Sequence, residues 1–242
     1  MRATRIALSL VTTVILTALV ASTAVAASAA GQAAAAKTYS YDFSNGAEGW
    51  SADFSDYSPS SIEMELQAGV APLPTGTADG DGFFIQGNNH SDDLYMFLKR
   101  HLGPADGITA GRRYSVQSSV TFWSNSPDCV GVGGSAGGSV YLKAGASTAE
   151  PVVSLVDNRY QVSLDKNEQA GEGTDATVLG NIDSGETCKS KKWVKVTRMS
   201  STTLEVRADD VSNLWLNVGT ESGFEGLTRL YYSNVSVTLT PR

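Results

Sequence analysis

Apolar and polar residues alternate along much of the chain. Ile62, Met64 and Leu66 are separated by Glu63 and Glu65; Tyr114, Val116, Ser118, Val120 and Phe122 are separated by Ser115, Gln117, Ser119 and Thr121. The same spacing recurs at Tyr160, Val162 and Leu164, at Leu204, Val206 and Ala208, and at Leu214, Leu216 and Val218. A period of two puts one set of side chains on a core face and the other toward solvent, so each run predicts a half-buried strand. Residues 94–98 (LYMFL) are apolar on both parities and predict a strand covered on both faces. Clusters of Gly, Ser, Asp and Asn separate the runs at turn spacing, and no long stretch keeps a helical period. The acidic, glycine-rich stretch 165–189 reads as a long surface loop. Many strands and few helices in a chain of this size predict an all-β fold, a single-domain β-sandwich of jelly-roll type.

The first residues break this pattern. Arg2 and Arg5 precede an uncharged, mostly apolar run over 6–20, and small residues follow over 21–30, including Ala24-Val25-Ala26 and Ala27-Ser28-Ala29. This is the organisation of a secretory signal peptide, expected over 1–30 with cleavage near 26–30. The apolar run is shorter than the roughly 18 residues of a membrane span. No cysteine follows it to carry a lipid anchor. A disordered, alanine-rich spacer is expected over 31–37 and the sandwich over 38–242, in a secreted, extracellular chain with no membrane association after cleavage. No internal repeat or interdomain linker appears, and a monomer is expected.

Charge narrows the partners. The chain has 18 basic and 25 acidic residues, for a net charge of −7, and three of the basic ones, Arg2, Arg5 and Lys37, precede Thr38. An acidic chain without a basic cluster does not suit nucleic acid or an anionic membrane. The two cysteines, Cys129 and Cys188, form an even pair in a chain expected to be exported, which points to one disulfide.

Few motifs suggest chemistry. Residues 133–137 (GGSAG) fit the spacing of a hydrolase nucleophile elbow around Ser135, but the residues after it read as a strand where that motif needs a helix. Glu63 and Glu65 would share one strand face about 7 Å apart, as a glycosidase pair or as a solvated surface. Asp79, Asp81, Asp92 and Asp93 are candidate calcium ligands if they converge, although the later ligands of a calcium-binding loop are missing. His90 and Asp92 could bind a ligand, hold a metal or move a proton; equally, residues 88–92 could be a loop that caps its own backbone before a strand. His101 lies a strand length from His90, too far to share a metal with it. Trp123 ends a strand whose same-side residues include Gln117, Ser119 and Thr121, and Trp215 stands beside Asn217. An indole for a sugar ring to stack on and polar side chains for its hydroxyls would make Trp123, Gln117, Trp215 and Asn217 a glycan site. The competing reading buries those tryptophans. Trp50 reads as structural.

Three stretches, DFSNGAEGW (42–50), ITAGRRYSVQSSVTF (108–122) and LYYSNVSVTL (230–239), resemble landmarks of the galactose-binding-like jelly rolls shared by many carbohydrate-binding modules. Residues 82–100, 128–147 and 218–239 resemble signature stretches of a group of uncharacterised secreted bacterial proteins. The resemblance implies export and the jelly-roll fold, and it lends no catalytic residues. Many such jelly rolls hold a structural calcium near their first and last strands; here Asp42 is present, but Ser233 and Asn234 stand where an Asp is common. The expected role is non-catalytic binding of a glycan or cell-envelope polysaccharide. The alternatives are a polysaccharide hydrolase or lyase and a structural envelope protein.

Overall fold

The computed structural model describes residues 35–59, 62–90 and 93–242. The signal peptide and most of the spacer expected at the N-terminus lie outside these residues. The described chain is a sandwich of two antiparallel sheets with a small hairpin laid on one of them.

The first sheet contains β1 (Lys37–Tyr41), β3 (Gln67–Pro72), β4 (Asp81–Asn88), β6 (Arg113–Ser124), β11 (Val194–Met199), β12 (Leu204–Arg207) and β14 (Leu227–Pro241). Its path is β11-β6-β14-β4-β3, with β12 continuing the line of β11 along β6 and β1 continuing the line of β4 along β14. The second sheet contains β2 (Trp50–Ser55), β5 (Tyr95–Leu102), β7 (Val140–Ser147), β10 (Ala176–Asn181) and β13 (Leu214–Ser222), in the order β10-β7-β13-β5-β2. The hairpin pairs β8 (Val153–Val156) with β9 (Arg159–Val162).

The facing sides of the sheets supply one core, which includes Phe83, Ile85, Leu98, Val120, Phe122, Leu142, Leu216, Val218, Leu230 and Val235. The alternating runs at 114–122, 204–208 and 214–218 place their apolar parity there, as their period requires. Trp50 closes one end, 4% exposed and edge-on to Tyr41 at 5.5 Å. On β14 a bulge between Tyr232 and Asn234 inserts one extra residue. It keeps Val235, Val237 and Leu239 pointing inward after Leu230 and Tyr232, a shift of parity that the sequence pattern alone does not reveal.

Three expectations change. The alternation at 62–66 is not a strand: Glu65 has φ 49°, in the left-handed region, which breaks the extended backbone, and the Glu65 carbonyl accepts from Gln86 Nε2 at 3.1 Å. The strand begins later, at Gln67, and ends at Pro72, which suits its position at the sheet edge. The supposed loop 165–189 contains β10, which pairs with β7. Lys37, assigned to the spacer, opens β1 opposite Leu239. The disulfide Cys129–Cys188 is formed, with a Cα–Cα distance of 5.7 Å, and it ties the two loops as expected.

Candidate functional site

The two outer faces of the sandwich differ. On the first sheet, register places Phe84 of β4, Tyr231 of β14, Trp123 of β6 and Lys195 of β11 in one row across neighbouring strands. By the usual inter-strand spacing the row is about 14 Å long. Phe84 and Tyr231 have ring centroids 4.9 Å apart, and Trp193, just before β11, stands edge-on to Tyr231 at 5.3 Å. All four aromatic side chains are half-buried, with neither full exposure nor full cover.

Beside this row the face is polar. Thr121 of β6 lies between Asn234 of β14 and Thr197 of β11, Ser119 is opposite Ser236, and Gln117 is opposite Thr238. Thr121 and Thr197 hydroxyls are 2.9 Å apart, and Asn234 Nδ2 donates to Ser40 Oγ at 3.1 Å. A shallow depression of about 150 Å³ opens among Gln117, Ser119, Ser236, Thr238 and Met199. Gln117, Lys195, Thr197 and Met199 are exposed. Trp123 and Gln117, both singled out from the sequence, therefore share this open face. Tyr231, Phe84 and Trp193 were missed by the sequence reading. Tyr231 and Tyr232 form a doublet whose second ring is core, and the bulge that follows hides which ring faces out.

On the second sheet the outer face is largely covered. Tyr95 and Phe97 of β5 stack at 5.1 Å with 13° between their planes, and both are fully buried. Leu164, Val153 and Val162, from the hairpin and the chain just after it, pack on them. This is why residues 94–98 are apolar on both parities. Gly219 lies beneath the rings; a Cβ there would sit 2.8 Å from Tyr95 Cζ and 2.7 Å from Phe97 Cβ, so the position has no room for a side chain.

Charge closes the cover. Lys143 Nζ, fully buried, donates to Glu221 Oε2 at 2.6 Å and to the carbonyls of Lys166 and Asn167 at 2.9 and 3.0 Å. Lys166 Nζ lies 2.7 Å from Glu221 Oε1 and 3.0 Å from Asp56 Oδ2. Arg159 pairs with Asp93 at 2.6 Å near the hairpin tip. Burial lowers the pKa of Lys143, against the raising effect of the Glu221 hydrogen bond and charge, and burial pushes the Tyr95 hydroxyl up. A cavity of about 380 Å³ lies beside this network, lined in part by Asp56, Asp93, Arg159, Lys166 and Glu221. The carboxylates of Asp93, Asp56 and Glu221 are all engaged by cations. Those ion pairs fasten the hairpin, and Glu168 also lines the cavity.

At the far end of the same face the cover stops. Trp215 of β13 lies between Ser147 and His101 in the register and is half-buried. The His101 ring centroid is 5.0 Å from that of Trp215, and Lys99 Nζ is 5.9 Å from it. His101 Nε2 is 2.8 Å from Asn213 Oδ1. Trp215, His101 and Asn213, with Thr148, Glu150 and Asp209, line a depression of about 480 Å³. Asn217, paired with Trp215 in the sequence reading, is removed from any ligand: it is 1% exposed and donates to the Asp175 carbonyl at 3.0 Å beneath the covering loop.

The remaining candidates do not assemble. His90 is exposed, and its neighbour Asn89 anchors the loop by donating to the carbonyls of Ser222 and Phe224, both at 2.9 Å. Asp92 lies outside the described residues. Asp79 and Asp81 sit where β4 begins and Asp93 lies beyond its far end, so the strand separates them by roughly 20 Å or more. Among the described residues no group of three or more His, Cys, Asp or Glu side chains is arranged to hold a metal. Glu63 and Glu65 line a shallow groove that does not include His90, and the Glu65 carboxylate accepts from Asn88 Nδ2 at 2.8 Å. Ser135 Oγ is hydrogen-bonded to Asp128 and accepts from Gly138 N at 3.0 Å, so it holds its own glycine-rich loop.

No family model and no curated protein matches the chain. Among solved structures it is similar to the CBM22-1 xylan-binding domain of Paenibacillus barcinonensis Xyn10C, with 16% identity, coverage of 87% of this chain and 99% of that one, and a TM-score of 0.39. It is similar to the xylan-binding module CBM15 with 13% identity, 85% and 97% coverage and a TM-score of 0.37. It is also similar to the K1 cleaved adhesin domain of Lys-gingipain from Porphyromonas gingivalis, with 10% identity, 83% and 97% coverage and a TM-score of 0.38.

Proposed function

We propose that the chain is a secreted, non-catalytic glycan-binding module whose platform is the outer face of the first sheet. The observation that carries this reading is the row Phe84, Tyr231 and Trp123, with Trp193 at its edge, set in a field of hydroxyls and amides from Gln117, Ser119, Thr121, Thr197, Asn234 and Ser236. A pyranose presents an apolar C–H face and a rim of hydroxyls. Aromatic rings take the first and fixed polar groups take the second. A row laid across several strands suits an extended polymer rather than a single small molecule. Export is supported by the disulfide, which persists in oxidising compartments. A non-catalytic role is supported by the commitment of Ser135, Glu65, Asp56, Asp93 and Glu221 to structural contacts.

The test is retention of the purified chain on insoluble xylan, insoluble mannan, microcrystalline cellulose and bacterial cell walls, each with calcium and with a chelator. Binding through this face gives retention on at least one polymer and loses most of it in Trp123→Ala and Tyr231→Ala. Retention that both variants keep would move the site off this face, and loss with chelator alone would move it to a cation. No retention on any polymer would favour an envelope protein with a protein partner.

A further inference from the structure

We propose that the depression at Trp215 is a second glycan-binding site, and that the molecule bridges two polymer chains. The inference rests on the glycan-binding reading of the first face and adds a separate site to it.

The geometry of the second sheet sets the place. Its outer face is sealed along the rows that hold Tyr95, Phe97 and Lys143, and the cover ends where Asp175 lies over Asn217 and Gly145. In the next row, Ser147–Trp215–His101, Ser147 is buried and donates to the Ala149 carbonyl at 2.7 Å, Trp215 is half-buried, and His101 is exposed. Trp215 and His101 form an aromatic floor, tilted 51° to each other. One wall is the chain at 148–150, and the other is the turn 209–213. That turn is rigid by construction: Asp209 accepts from Val211 N, Asn213 N and Asn213 Nδ2, at 3.0, 2.6 and 2.8 Å. The turn in turn positions Asn213 Oδ1 against His101 Nε2. An indole floor with fixed polar walls has the same chemistry as the first face, contracted to a pocket of about 480 Å³. That volume suits one or two sugar units and not a long stretch of polymer.

The pocket belongs to the opposite sheet. The outer faces of a sandwich point away from each other across a core about 10 Å thick, and side chains add to the separation. A single polymer lying on the first face cannot also enter the Trp215 pocket without wrapping around the sandwich. Two occupied sites therefore belong to two chains, and one molecule crosslinks them. Bridging needs no oligomer and no new contact beyond the two sites.

The experiment uses beads coated with whichever polymer of the xylan, mannan, cellulose and cell-wall panel retains the chain. Beads agglutinated by the protein report bridging, and depletion of protein from solution reports binding. The expected result is agglutination by the wild-type chain, with Trp215→Ala needing at least about tenfold more protein for the same effect. Saturation with a soluble oligosaccharide of that polymer falls from two per chain to one in Trp215→Ala. Trp215→Phe keeps a flat ring and restores much of the agglutination, which separates loss of the floor from loss of the fold. Depletion without agglutination would overturn the second site and leave the first face standing. Agglutination that survives Trp215→Ala would also overturn it and assign bridging to self-association. No depletion on any polymer would remove the glycan reading and this inference together.

Discussion

The outer faces of the two sheets start from the same material and end differently. Both carry aromatic rings, in a cross-strand row on the first sheet and stacked along β5, whose two parities are both apolar, on the second. On the first sheet, Phe84, Tyr231 and Trp123 are half-buried beside hydroxyls, with no hairpin laid over them among the described residues. On the second, Tyr95 and Phe97 are sealed under Leu164, Val153 and Val162, with Lys143, Lys166 and Glu221 locked in at the edge. An isolated two-stranded hairpin such as β8–β9 is marginal in water and needs a surface to lie on. The difference teaches that a strand's second parity declares its use only when its partner is known. Aromatic rings under a hairpin stabilise the fold, and the same rings left open are available to a ligand.

The comparison breaks most easily at the covered face. Glu221→Gln leaves Lys143 and Lys166 buried without their shared carboxylate, and the expected loss is about 3–5 kcal/mol of unfolding free energy, read from denaturant midpoints. Polymer retention of the folded fraction should not change. Leu164→Ala, which uncovers Tyr95 and Phe97, should cost about 2–4 kcal/mol in the same measurement. If either variant matched wild type in stability, the hairpin would not be an integral part of the sandwich.

The open face should show the reverse. Gln117→Ala removes an exposed side chain, so its stability should stay within about 0.5 kcal/mol of wild type. Its affinity for a retained polymer should fall several-fold, by about 0.5–1.5 kcal/mol for one hydrogen-bonding group. A variant that lost stability but not affinity would exchange the roles of the two faces.

The smallest effect concerns the loop that follows the hairpin. The Thr174 hydroxyl and then its backbone N–H bind the Asp165 carboxylate, at 2.8 and 3.1 Å, and hold its pKa below the ordinary value. A depressed folded pKa gives stability that is present above the unfolded value and lost as the pH falls through the folded one. Thr174→Val should raise the Asp165 titration seen by carbon NMR and remove part of that acid sensitivity. An unchanged titration would mean that Thr174 does not hold the loop.

Much of the fold was legible because burial on one side leaves a period of two, as at 114–122 and 214–218. The doubly covered strand at 94–98 was also legible, since both parities are apolar. The run at 62–66 misled because its alternation is interrupted by a backbone feature, the left-handed Glu65, that leaves no mark on hydrophobicity. β10 was hidden in 165–189 because its residues, ATVLGN, include a glycine at a bulge and sit amid acidic turns. Of the site, Trp123 and Gln117 were readable as one parity of one strand. Their neighbours Tyr231, Phe84 and Trp193 come from other strands and an adjoining loop, and only the register brings them together. Asn217 shared its parity with Trp215, but a loop distant in sequence covers it, and local pattern carries no information about such cover.

The central claim is that the open face of the first sheet binds glycan. Its most direct test is backbone hydrogen exchange of the chain with and without a soluble oligosaccharide of the polymer that retains it. The account predicts added protection in β6, β11 and β14, around Gln117–Trp123, Lys195–Thr197 and Tyr231–Ser236, with β8 and β9 unchanged. Protection centred on the hairpin and the cavity at Asp56 and Lys166, or no protection on the first sheet at saturating ligand, would contradict it.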